Sequence, residues 1–139
     1  MGATSLQIGY IEQPLASADW PRLRAMLAPA LKPGNMSWHD IEPDLASGDM
    51  QIVAITKGGD LDLLACAVIR SALTREGEAL EIVAAAGRNY REWAAWGMSA
   101  LREAARIAGM SRLQLAGRVG WRRVFPDMKA ENGMLTVNV

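Results

Sequence analysis

Apolar and polar residues alternate along Leu6-Gln7-Ile8-Gly9-Tyr10-Ile11, the two-residue period of a half-buried strand. The period then lengthens. Asp19-Trp20-Pro21 opens a helix, with Asp19 as N-cap and proline in the first turn. Leu23, Met26 and Leu27 carry it toward an end near Pro29 or Pro33-Gly34. Ser37-Trp38-His39-Asp40 opens a second helix, Ser37 capping it and Asp40 near the capping-box position. Pro43 keeps this helix short or kinked, and Gly48 ends it.

From Gln51 the pattern is that of strands and tight turns. Ile52 to Ile55 is a short strand, Lys57-Gly58-Gly59-Asp60 a turn, and Leu63 to Ile69 a second strand. Arg75-Glu76-Gly77-Glu78 turns into a third, Ala79 to Ala86, so the three form an antiparallel meander closed by Gly87. The longest helix runs from about Tyr90 to Ala108. Its apolar stripe is Trp93, Trp96 (or Gly97), Ala100, Leu101, Ala104 and Ile107 or Ala108. Arg112 to Ala116 is a strand, Gly117 to Met128 an arginine-rich short helix or loop, and Met134 to Val139 a last strand. This order predicts one α+β domain over residues 1–139, with a central mixed, mostly antiparallel sheet of about six strands flanked by helices. The strand after the long helix should run parallel to the one before it.

Composition narrows the chemistry. Half of the 139 residues are hydrophobic, enough for a sizeable core. No apolar stretch approaches membrane-spanning length and the N-terminus lacks a secretory pattern, so a cytoplasmic protein with no membrane contact is expected. Cys66 is the only cysteine and His39 the only histidine, which argues against a disulfide and a metal site. Cys66 lies in the run Leu63–Ile69 and is expected to be a buried small hydrophobe. Net charge is zero but uneven: residues 70–139 hold eleven of the fifteen basic residues, ten of them arginine. Arg118, Arg122 and Arg123 cluster around Trp121 and Phe125, yet no nucleic-acid motif accompanies them, so packing aromatics among exposed arginines is expected.

The order of elements resembles the GCN5-related N-acetyltransferase (GNAT) fold across nearly the whole chain. That resemblance implies an acyl-CoA lying between splayed fourth and fifth strands, with its pyrophosphate on N–H groups at the start of the long helix. Acetyl-CoA or another acyl-CoA is the implied cofactor, and a small-molecule or protein amine the implied acceptor. The loop would be Gly87, Arg88, Asn89, Tyr90 and Arg91. Against the family pattern Gln/Arg-x-x-Gly-x-Gly/Ala, Arg88 agrees, while Arg91 and Trp93 take the places of the small residues and are expected to crowd the diphosphate. Glu81 on the fourth strand is the implied base, the alternative being a solvent-facing strand residue; Asp127 and Glu131 are weaker choices. No tyrosine follows the fifth strand to act as acid, since Tyr10 and Tyr90 are the only two.

Trp38 and His39 border the implied acceptor side, with Arg118 and Trp121 facing it from beyond the fifth strand. Trp93 with Gly117-Arg118-Val119-Gly120-Trp121 is also similar to a GNAT-like group encoded by phages and prophages. Two readings stay open. One is an N-acyltransferase of unknown acceptor. The other is a non-catalytic GNAT-fold component, virion-associated, that contacts phage proteins. Homo-oligomerisation is compatible with either.

Overall fold

A computed structural model describes residues 5–31, 36–58, 62–116, 125–131 and 134–139. Its sheet is built from β1 (Leu6–Ile11), β2 (Gln51–Lys57), β3 (Asp62–Thr74), β4 (Gly77–Gly87), β5 (Arg112–Ala116), β6 (Lys129–Glu131) and β7 (Met134–Asn138). The helices are α1 (Trp20–Leu31), α2 (Trp38–Ser47) and α3 (Tyr90–Ile107), with a 3-10 turn at Pro14–Ala16. Among the described residues seven strands stand where about six were expected, in the order β1-β2-β3-β4-β5-β7-β6. The extra one, β6, is three residues long and too short to show an alternation. Only β4 and β5 pair in parallel; every other neighbouring pair is antiparallel.

Each face of the sheet has its own core. On one side Leu23 and Leu27 of α1 and Ile41 and Leu45 of α2 pack with Ile52, Ala54, Cys66 and Val68. On the other, α3 lays Trp93, Ala94, Leu101 and Ala105 on Val53, Ile55, Ile69, Leu80, Ile82, Leu113 and Leu115. The buried stripe of α3 is thus Trp93, Ala94, Gly97, Leu101 and Ala105, turned from the expected one. Trp96 is 39% exposed and Ile107 74%. Gly97 decides the rotation, because its missing side chain lets the helix settle on the Ile55 methyl, which an added Cβ would meet at 2.8 Å.

Local signals act as expected at the α2 entry, where Asp40 accepts the Ser37 N–H at 2.9 Å and its hydroxyl at 3.1 Å. Gly48 then ends α2 with φ of 87°. Pro29 does not end α1, which continues to Leu31. Asp19 sits at the helix start, its carbonyl accepting the Leu23 N–H at 2.9 Å, but its carboxylate turns to Arg22.

Candidate functional site

The parallel pairing of β4 with β5 covers four positions, Ala79 to Ile82 against Arg112 to Leu115. At the next residue β4 carries a bulge: Ile82 pairs with Ile69 and Ala84 with Val68, leaving Val83 without an opposite number on β3. From Val83 to Gly87 the strand keeps β3 on one side and has no strand partner on the other among the described residues. Among the described residues the β4–β5 pairing therefore ends just where β4 changes phase.

Glu81 stands immediately before the end of that pairing and is 5% exposed, so the solvent-facing alternative is overturned. A carboxylate taken from water needs partners in kind. Arg70, its opposite on β3, places Nε at 2.7 Å and a terminal nitrogen at 2.6 Å from Oε2. Gln114, its opposite on β5, donates from Nε2 to Oε1 at 2.8 Å. The register continues the row across the sheet: Gln114 opposes Thr136, and Thr136 opposes Lys129. Leu113, Leu115 and Leu135 belong to the α3-side core, so strand alternation puts this polar row on the α1–α2 side. Neither Arg70 nor Gln114 was singled out from sequence. Both are polar residues beside apolar strand positions, a usable signal only once register is known.

The loop from β4 to α3 is braced from beneath. Gly87 opposes Ala65, and the Arg88 N–H donates to Leu64 O at 3.0 Å. Asn89 takes a left-handed conformation (φ 52°, ψ 56°), turning the chain into α3. Trp93 is buried in the α3-side core and its indole N–H donates to the Arg88 carbonyl at 2.9 Å. Its bulk is thus directed into the protein, not over the loop where crowding was expected. Arg88 is ion-paired with Asp62, and Lys57 with Glu92, whereas Arg91 is exposed and in no ion pair among the described residues. The first N–H groups of α3, at Tyr90 and Arg91, have no intrahelical acceptor, as at any helix start.

On the α1–α2 surface, Trp38 meets Trp20 edge to face at 5.4 Å, and the Arg24 guanidinium lies 5.1 Å from its ring centre. His39 beside it is exposed. Asp127 pairs with Arg102 at 3.3 Å. Arg118, Trp121 and the rest of the expected 117–124 segment lie outside the described residues. Cys66 is buried, 4.0 Å from the Leu23 carbonyl, and burial pushes its thiol up to about 12, which leaves no thiolate for chemistry near neutrality. Among the described residues no cluster of histidine, cysteine and carboxylates is disposed to hold a metal, and no helix is long and apolar enough to cross a membrane.

No protein-family model matches this sequence, and no curated protein does. Solved structures do. The chain is similar to the IAA acetyltransferase from Bacillus cereus, at 17% identity and a TM-score of 0.59, over 97% of this chain and 100% of that one. It is similar to a Bacillus subtilis acetyltransferase in complex with CoA, at 16% identity and a TM-score of 0.64, over 97% and 99% of the two chains. It is similar also to a GNAT-family acetyltransferase from Brucella melitensis in complex with acetyl-CoA, at 17% identity and a TM-score of 0.62, over 96% and 88%. The fold is the GNAT fold.

Proposed function

We propose that this chain is an acyl-CoA-dependent N-acyltransferase, transferring an acetyl or other acyl group to an amine. One observation carries the reading: β4 parts from β5 after Ile82, and the buried carboxylate of Glu81 stands at the point of parting. On its β5 side the backbone of Val83 to Gly87 offers donors and acceptors without a strand partner among the described residues, which suits an extended pantetheine arm lying where a strand would otherwise pair. The N–H groups at the start of α3, which lack an intrahelical acceptor, and Arg91, in no ion pair among the described residues, suit its pyrophosphate. The fold likeness to CoA-bound acetyltransferases supports the same assignment.

Acyl-CoA supplies an activated thioester. The amine nitrogen bonds to the carbonyl carbon, the carbon–sulfur bond breaks, and the sulfur departs as thiolate. Glu81 takes the amine proton directly or through a water. Because Arg70 occupies Oε2 with two nitrogens, Oε1 is the oxygen with a lone pair to spare beside its bond from Gln114. The thiolate takes its proton from water, since Tyr10 lies on β1 and Tyr90 at the loop. Trp38 and His39 border the acceptor side.

Isothermal titration with acetyl-CoA and with CoA tests the reading. Binding in the micromolar range is expected, weakened more by Arg91→Ala than by Arg88→Ala, whose guanidinium already answers Asp62. If neither ligand binds the folded protein, the acyltransferase reading fails. The GNAT fold then serves without catalysis, and a phage or virion protein partner is the one to seek by pull-down.

A further inference from the structure

We infer that the acceptor amine carries an oxyanion, carboxylate or phosphate, at its far end, received by Lys129, Arg112 and Thr136. The inference rests on the acyltransferase reading. A hollow beside the end of β7 is lined by Arg102, Arg112, Lys129, Thr136 and Asp127, among others, with three cations to one carboxylate. Arg102 is committed within it, to Asp127 at 3.3 Å and to the Asn138 carbonyl at 2.9 Å. Arg112 stands 3.6 Å from Glu76 at the rim. Lys129 makes no ion pair among the described residues. Thr136 is 6% exposed; no fully buried side-chain polar atom lacks a partner among the described residues, so its hydroxyl, which makes no hydrogen bond there, keeps an opening to the hollow.

Ammonium and hydroxyl both donate, and a compact oxyanion is the group that satisfies both at once. Thr136 and Lys129 of the hollow stand in one register row with the reacting carboxylate. Thr136 opposes Gln114, whose amide holds Oε1 of Glu81, and Lys129 opposes Thr136. Three strand steps separate Glu81 from Lys129, about 14 Å at the usual spacing of paired strands. Allowing a hydrogen bond at each end, the acceptor would be a chain of about five or six carbons from amine to oxyanion.

The test is acetyl transfer, read as thiol release, to four amines that share a six-carbon chain: 6-aminohexanoate, 6-aminohexyl phosphate, hexylamine and 1,6-diaminohexane. The two anionic amines are expected to exceed hexylamine about tenfold or more in kcat/KM, with the diamine the poorest; their ratio tells carboxylate from phosphate. Lys129→Glu should abolish that preference and raise the diamine above the anionic pair, with acetyl-CoA binding unchanged. Thr136→Val should raise KM for the anionic amines severalfold at constant kcat. Hexylamine equal to the anionic amines, or a preference that survives Lys129→Glu, overturns the inference. So does binding of acetyl-CoA without transfer to any of the four, which leaves the acyl-CoA reading standing. Failure to bind acetyl-CoA sinks that reading instead, and titration of the free protein with 6-aminohexanoate against hexylamine, followed at the Lys129 and Thr136 amides, then decides the oxyanion site alone: shifts with hexylamine equal to those with 6-aminohexanoate overturn it.

Discussion

Arg70 grips a single oxygen of Glu81 with two of its nitrogens, at 2.7 and 2.6 Å from Oε2, and leaves Oε1 to the Gln114 amide. The two oxygens of one carboxylate are thereby given different tasks. Oε2 is held in a structural pair, with the Arg70 side chain 36% exposed and that of Glu81 6%. Oε1 keeps a lone pair toward the polar row.

Glu81→Gln is expected to lower the transfer rate by about 10²–10⁴, the usual worth of a general base. The same change strips Arg70 of its counter-charge. Because Arg70 is partly solvated, the stability cost is about 1–2 kcal/mol. Arg70→Met costs more, about 3 kcal/mol, since it leaves a buried carboxylate with only an amide. A double-mutant cycle by denaturant unfolding should show the pair coupled; additive losses would mean the contact contributes nothing.

Gly87→Ala and Gly97→Ala should part company. At Gly87 a Cβ would lie 2.5 Å from the Leu64 carbonyl oxygen and 2.6 Å from the Ala65 Cβ, groups fixed by the strand beside it. Thermal melting should show a loss of at least about 2 kcal/mol, with weakened CoA binding as the loop shifts. At Gly97 the obstacle is the movable end of Ile55, at 2.8 Å, set against a helix-propensity gain of about 1 kcal/mol. The net change there should stay within about 1 kcal/mol.

Cys66 ties stability to alkaline pH. Its folded thiol titrates at about 12 against an ordinary 9.0, so between those values the unfolded chain loses a proton that the native state keeps. Stability from this residue is complete below about pH 9 and is lost as pH rises toward 12, with a limiting slope of about 1.4 kcal/mol per pH unit. Unfolding curves of the wild type and Cys66→Ala should converge over that range. A thiol reagent at neutral pH should label Cys66 only in denaturant.

Asp40 does the reverse at acid pH. The Ser37 N–H, then its hydroxyl, hold the carboxyl below its ordinary 3.8. Its contribution is present above that value and is lost as pH falls through the lowered one. Asp40→Asn should remove this part of the acid dependence, and an acid-unfolding profile identical to wild type would show the cap to be inert.

Patterns of short range were legible in the sequence. The capping box at Ser37 and Asp40, the β2–β3–β4 meander and the length of α3 all follow from neighbours a few residues apart. Glu81 was legible as a residue on the right strand but not as one clasped between Arg70 and Gln114, because eleven and thirty-three residues of chain separate those partners. Register, a long-range quantity, makes them neighbours. Periodicity leaves Trp96 and Gly97 as alternatives on the stripe of α3, and packing decides for Gly97, whose vacancy admits Ile55 and brings Ala94 and Ala105 inward in place of Ala100 and Ala104. Strand β6, Lys129–Glu131, carries two charges in three residues and exists through its pairing with β7 alone.

The single unmatched residue at Val83 behaves as a dislocation does in a crystal. One extra unit throws every later residue of the strand out of phase with the row before it, while bonding to the neighbour continues. A phase change made this way needs no hinge and no moving lid, and it cannot be undone by side-chain rearrangement, only by removing the unit that caused it. Excising that residue would carry the β3–β4 ladder through without a fault, Ile82 and Ala84 then following one another opposite Ile69 and Val68.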